Sequence, residues 1–210
     1  YVREGGFVAD VAGFDAEFFG VRPSEAEQMD PQLRILLEGA WAATEAAGID
    51  PAELRGTRTG VFAGMMNYDY GRGWGGLPGV RPPGAEGGLL SGGIAYLLGL
   101  EGPALSVDTA CSSSLVAIHL AMRALRAGDC TLALAGGTAV MPTPDMFVGM
   151  SPGRTMAPDG RCKPFADGAD GVGWAEGSGL LLLQRLADAE RDGREVLATI
   201  TGSAVNQDGA

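Results

Sequence analysis

Histidine and lysine are nearly absent from this chain, cysteine is scarce, and each shortage excludes something. Three cysteines, Cys111, Cys130 and Cys162, are too few and too far apart for a disulfide framework or a zinc site. A reducing cytoplasm is therefore the expected compartment. Lys163 is the single lysine among 15 basic residues, which face 26 acidic ones. The net charge of −11 argues against nucleic acid and against anionic membrane surfaces as partners. Apolar runs such as Leu180 to Leu183 are far too short to span a bilayer, and no secretory signal pattern is present. His119 is the only histidine.

What is present is enough for one large domain. The chain has 210 residues, of which 46% are hydrophobic, so it can bury a substantial core. Its 35 glycines far exceed the usual share of about 7%. They follow no short period, which excludes collagen and favours tight turns between packed layers. The chain opens at Tyr1-Val2-Arg3 without a methionine and closes in a turn-like Asn206-Gln207-Asp208-Gly209-Ala210. It is read as a fragment of something longer.

Taken in order, Gly5 to Pro31 predicts loops and short helical turns, anchored by Phe14, Phe18 and Phe19, with Asp15 and Ser24 as N-caps. Asp30-Pro31 marks a helix start, a capping carboxylate followed by proline at the first helical position. Leu33, Leu36, Leu37, Ala40, Trp41 and Thr44 form its apolar stripe, and Gly48 ends it. Thr59 to Met65 predicts a buried strand. Glycine and proline dominate 71–87, a long surface loop near an entrance or subunit contact. The G-x-G spacing at Gly71 and Gly73 follows no strand and opens no helix, so a phosphate loop is a weak reading. Leu89 to Leu100 predicts a helix that packs Ile94, Leu97, Leu98 and part of Tyr96. Thr131 to Gly137 is a second buried strand, and Pro142 to Lys163 is rich in loops. Glu176 to Leu186 and Val196 to Ser203 predict strands flanking a short helix at 187–192. The expected class is α/β, a mixed sheet with helices on both faces.

The chain is organised around Pro103 to Arg126, PALSVDTACSSSLVAIHLAMRALR. Ala104, Leu105 and Val107 have the composition of a buried strand. Asp108, Thr109 and Ala110 turn it into Cys111. After Ser112, Ser113 and Ser114 come Leu115, Ile118, Met122 and Leu125, spaced as one face of a helix. With the strand at Thr131, this is a βαβ unit and implies a parallel pairing. A cysteine at a helix N-terminus meets unpartnered N–H groups and the positive end of the macrodipole. Thiolate formation is favoured there, and the same N–H groups can receive the oxyanion formed at an acyl carbonyl. Small neighbours leave room for an acyl group. An isolated strand–cysteine–helix signal fits a small buried junction cysteine equally well. Cys130 and Cys162 are assigned to packing or unremarkable positions; Cys130 follows Asp129 at the mouth of an apolar strand with no helix N-terminus behind it.

A cysteine nucleophile in acyl transfer usually works with a histidine. His119 lies eight residues beyond Cys111 on the same predicted helix, about 12 Å along its axis. It is out of hydrogen-bond reach and is expected to pack the helix. No Cys–His pair is expected within these residues.

VDTACSSSLVAIHLA, residues 107–121, resembles the active-site signature of β-ketoacyl synthase (ketosynthase) domains, especially those of modular type I polyketide synthases. The likeness covers nearly the whole chain. GGFVADVAGFDAEFFG at 5–20 and DPQLRILLEGAWAATEAAGIDPAELRG at 30–56 resemble the leading blocks. LALAGGTAVM at 132–141, APDGRCKPFADGADGVGWAEG at 157–177 and GSAVNQDGA at 202–210 follow in the family's order.

The resemblance implies a thiolase-like layered α/β fold, two related halves stacked as five alternating layers. This chain corresponds largely to the N-terminal half, truncated at both ends and without the family's later histidines. It implies that Cys111 takes an acyl chain from a phosphopantetheine thioester, with its backbone N–H as an oxyanion donor. Condensation with a malonyl-type extender on acyl carrier protein, losing carbon dioxide, would then follow. Cysteine rather than glutamine at 111 resembles an elongating synthase. Acyl carrier protein and a second copy are the implied partners, with no cofactor or metal of its own; the carrier proteins of the family are acidic, as this chain is. Alternatives are a thiolase-type enzyme using acyl-CoA, or a catalytically idle ketosynthase-like dimerisation partner. Two departures bear on substrate preference and subfamily. Gly93 stands in SGGIAY where an arginine is common, and Met150 to Met156 replaces most of an FSRQRG-like block.

Overall fold

The computed structural model describes residues 1–72 and 88–209. The long loop expected at 71–87, including the second glycine of the G-x-G spacing, lies outside the described residues from 73 onward.

Four strands form one sheet. Strand β1 (Thr59–Gly64) runs parallel to β2 (Ala104–Val107) on one side and to β3 (Leu132–Ala139) on the other. Strand β4 (Gly177–Gln184) adds antiparallel to β3, giving the order β2-β1-β3-β4. Among the described residues six α-helices accompany it: α1 (Pro23–Ala26), α2 (Pro31–Ala46), α3 (Leu89–Leu98), α4 (Ser113–Ala127), α5 (Asp145–Met150) and α6 (Leu186–Arg191). The β2–α4–β3 crossover passes over β1, the parallel unit expected from the sequence. No helix among the described residues is long and apolar enough to cross a membrane.

Alternation along the strands divides the core. Val61, Ala63 and Leu134 face α2 and α3, where Leu36, Leu37 and Ile94 are fully buried. Phe62, Ala133 and Ala135 face the opposite way and meet α4. Burying each large aliphatic or aromatic side chain stabilises the fold by about 1.5–3 kcal/mol. All six residues of β1 are buried, as its central place requires.

Helix α2 starts as its sequence demands. The Asp30 carboxylate accepts from the Gln32 N–H at 2.8 Å, and Pro31 occupies the first helical position. The buried Gln32 amide then reaches across the core. Its Nε2–H donates to the Asn67 carbonyl at 2.8 Å, and its Oε1 accepts from the Val140 N–H at 3.3 Å. The start of α2 is thus tied to the chain segments that leave β1 and β3.

Several expectations are corrected. Val196–Ser203 forms no strand: residues 195–209 have no regular secondary structure, because no neighbouring backbone among the described residues pairs with them. This tail lies along α4 instead, with Thr201 accepting from Arg126 Nη2 at 3.4 Å. Strand β2 is an edge strand with Ala104, Leu105 and Ser106 exposed, since it pairs on one side only. In α4 the buried face is Ala117, Ala121, Met122, Ala124 and Leu125, whereas Leu115 is 69% exposed and Ile118 only partly covered. The sheet-facing side is built from alanines because Phe62 already fills the space beneath. Tyr96 is exposed rather than packed. Ser24 lies inside α1, whose N-cap is Arg22, while Asp15 caps the turn ending at Phe18 through a 3.0 Å bond from the Phe18 N–H.

Burial pushes the Asp30 carboxyl above the ordinary aspartate range, against the opposing hydrogen bonds from Gln32. A raised folded-state value means that the stabilising increment is present at acid pH and is lost as pH rises through that value. Asp30→Asn keeps the cap without the charge, so it should hold or raise the melting temperature at pH 7 and flatten its dependence on pH. Asp30→Ala should cost about 1 kcal/mol. Thermal unfolding of the three proteins over a pH series checks both.

Candidate active site

The chain leaves β2 at Val107 and turns through Asp108, Thr109 and Ala110 before entering α4. Ala110 adopts φ 56°, a left-handed conformation that L-residues other than glycine rarely take. The Asp108 carboxylate receives the Ala110 N–H at 3.0 Å, and the Ser113 N–H donates to the Ala110 carbonyl at 3.0 Å. Cys111 therefore stands just outside the helix, one residue before its N-cap Ser112, and is exposed. The thiol is neither inside the helix nor sealed in hydrocarbon.

Two glycines that sequence reasoning passed over make this placement possible. A Cβ on Gly64, the last residue of β1, would lie 2.6 Å from the Ser114 nitrogen and 2.7 Å from the Ser113 carbonyl carbon. A Cβ on Gly137 in β3 would lie 2.9 Å from the Ser114 Cβ and 3.0 Å from the Gly64 oxygen. Helix α4 thus begins with its backbone against Gly64 and its Ser114 side chain against Gly137.

A cleft of about 390 Å³ opens at this end of the sheet, with Cys111 on its rim. Gly64, Met66, Gly137, Thr138 and Ala175–Gly179 line it together with Cys111. Glu176 fixes the 175–179 segment. Its two carboxylate oxygens accept from the Val8 N–H at 3.0 Å and the Met141 N–H at 2.8 Å. A larger hollow of about 770 Å³, beside Arg34 and Tyr70, contains no thiol. The loop leading to Ala175 is clamped by Lys163, whose ammonium contacts Asp159 at 2.8 Å and Asp170 at 2.7 Å.

The other candidates separate cleanly. Cys130 is fully buried against Gly60, and burial pushes its thiol up. Cys162 is exposed, its sulfur accepting from the Gly173 N–H at 3.2 Å. His119 Nδ1 lies 2.8 Å from Ser203 Oγ, so the only histidine is engaged with the tail rather than with Cys111. Among the described residues no cluster of histidine, cysteine, aspartate or glutamate could hold a metal.

A reactive-type residue on a left-handed turn, at the N-terminus of a helix seated on parallel strand ends, defines a layered α/β protein built to present a side chain in a cleft. Comparison with known proteins gives that class a family. Residues 1–189 match the family described as "Beta-ketoacyl synthase, N-terminal domain", and the chain belongs to it. The chain is 61% identical over 210 residues to the mycoketide-CoA synthase of Mycobacterium tuberculosis, covering 100% of this chain and 5% of that one. It is 60% identical over 214 residues to the polyketide synthase GfsB of Streptomyces halstedii, covering 100% of this chain and 4% of that one. It therefore spans a small part of the length of these relatives. A ketosynthase from the bacillaene synthase of Bacillus subtilis superposes with a TM-score of 0.89 at 41% identity, over 97% of this chain and 35% of that one. The oxazolomycin ketosynthase domain of Streptomyces albus gives 0.86 at 42%, over 92% and 35%. The fold is thiolase-like, as the resemblance implied.

Two consequences are open to measurement. In the native protein Cys111 and Cys162 should react with a thiol reagent, while Cys130 should react only after unfolding; peptide mass spectrometry reads each site. Gly64→Ala should destabilise the fold by about 1–3 kcal/mol, because backbone rather than a flexible side chain must move. Chemical denaturation checks it.

Proposed function

We propose that this chain is the cysteine-bearing, N-terminal part of a ketosynthase domain that elongates a polyketide. In this reading Cys111 is the acyl-accepting nucleophile. Its sulfur attacks the carbonyl of an acyl thioester; the new S–C bond forms as the phosphopantetheine thiol leaves. In this reading the backbone N–H of Cys111, where the chain enters α4, receives the negative oxygen of the intermediate. A malonyl-type extender on acyl carrier protein then loses carbon dioxide, and its carbon displaces the cysteine to form the new C–C bond. The observation that carries the reading is the exposed Cys111 on the left-handed Ala110 turn, at the rim of the cleft.

The histidines that would assist decarboxylation belong, by family resemblance, to the second half of such a domain. His119 is committed to Ser203 and supplies none of that chemistry. The 210 residues alone are therefore expected to be inactive in condensation. Acyl carrier protein, acyl and malonyl-type thioesters and a second copy of the domain are the proposed partners, and the cytoplasm is the proposed compartment. No cofactor beyond carrier-bound phosphopantetheine is needed.

In an intact domain, Cys111→Ala should reduce transfer of a radiolabelled acyl group to protein to background, whereas changes at Cys130 or Cys162 should leave it. Persistent labelling without Cys111 would overturn the assignment.

A further inference from the structure

We propose that Ser113 is a positioning residue for Cys111, acting through the left-handed turn at Ala110. This rests on the reading of Cys111 as the acyl acceptor. Alanine at φ 56° is disfavoured where glycine would not be, so surrounding contacts must hold the turn. The Ser113 hydroxyl supplies two of them. It accepts from the Thr109 N–H at 2.9 Å and donates to the Ala110 carbonyl at 2.6 Å. One oxygen thereby closes the turn on both sides of the strained residue, bracketing the peptide that leads into Cys111.

Burial decides which serine matters. Ser113 is 5% exposed, pressed against the end of β1, where a Cβ on Gly64 would lie 3.0 Å from its own. Deleting the hydroxyl leaves the Thr109 N–H and the Ala110 carbonyl without the one buried oxygen that ties them together. Ser112 makes bonds of similar length, 2.8 and 2.9 Å, to the Thr109 carbonyl and hydroxyl, but it is exposed and solvent can substitute. Ser113 touches no reacting atom in this reading. Its effect is on the fraction of time the thiol spends at the cleft rim.

The test uses an intact ketosynthase-containing polypeptide. Iodoacetamide alkylation of Cys111 is followed by peptide mass spectrometry, with Cys162 in the same molecule as reference. Ser113→Ala should slow alkylation of Cys111 by about tenfold while Cys162 changes by less than about twofold. Acyl transfer from a short acyl thioester should lose rate by a similar factor with KM nearly unchanged. Adding Ala110→Gly, which removes the conformational penalty, should restore most of the loss. Wild-type alkylation of Cys111 in Ser113→Ala, equal slowing of both thiols, or no recovery with Ala110→Gly would each overturn the proposal. If Ser113→Ala alone does not fold, Ala110→Gly with and without Ser113→Ala makes the same comparison, with less than about twofold separating them. Failure of that pair to fold would mark a purely structural role and overturn it as well. Alkylation does not depend on acyl transfer, so an error about Cys111 as acceptor would show separately.

Discussion

Close contact between two parallel strands, at Gly64 and Gly137, and the first turn of α4 is the constraint on which the site depends. With no side chains at Gly64 and Gly137, Ser113 and Ser114 can sit against main chain rather than a layer away. A helix seated so close leaves little chain for the turn out of β2, and the geometry is met by putting Ala110 in the left-handed region. Strain of that kind persists only where the surroundings over-determine it. Here they include the sheet edge, the Asp108 carboxylate and the Ser113 hydroxyl.

The same closeness runs the length of α4. Ala117, Ala121 and Ala124 let the helix approach the sheet, and Phe62 from β1 fills the volume that larger helix residues would otherwise occupy. Size is thus moved from helix to strand. On the other face the usual division holds: leucines of α2 meet Val61, Ala63 and Leu134. Gln32 links this second layer to the site by bonding Asn67 and Val140, the segments that follow β1 and β3. The cleft is therefore braced from both sides of the sheet.

These relations explain which features were legible in the sequence. Asp30-Pro31, the β1 run and the strand–Cys–helix unit carry local signals, a cap, a period or a turn, and each lies where its residues predict. Of the face predicted for α4 from Leu115, Ile118, Met122 and Leu125, Met122 and Leu125 are buried and Ile118 packs partly, whereas Leu115 points to solvent and Ala117, Ala121 and Ala124 take the closest positions against the sheet. Strand β2 shows the same limit: an apolar run does not reveal whether it has one neighbour or two. Val196–Ser203 has strand-like composition, yet a strand exists only with a backbone beside it. At the site, the thiol could be found from its neighbours in sequence. Gly64 and Gly137, distant in sequence and adjacent in space, could be recognised as its supports only once the strands were placed in register.

An acidic chain is at first sight a poor host for chemistry that gathers negative charge. The net charge of −11 is spread over the surface, however, and exposed charges separated by more than a Debye length, about 8 Å at physiological ionic strength, are largely screened. In the proposed reading, backbone N–H groups where the chain enters α4 act within one turn of the point where an oxyanion would form. Short-range dipoles therefore outweigh the diffuse charge at the reacting atom, while the diffuse charge governs encounter at longer range. A carrier protein that is itself acidic gains nothing from the average charge of this chain. If such a carrier is the partner proposed above, its approach has to rely on local rather than average charge, which would make recognition of the carrier separable from the chemistry at the cleft.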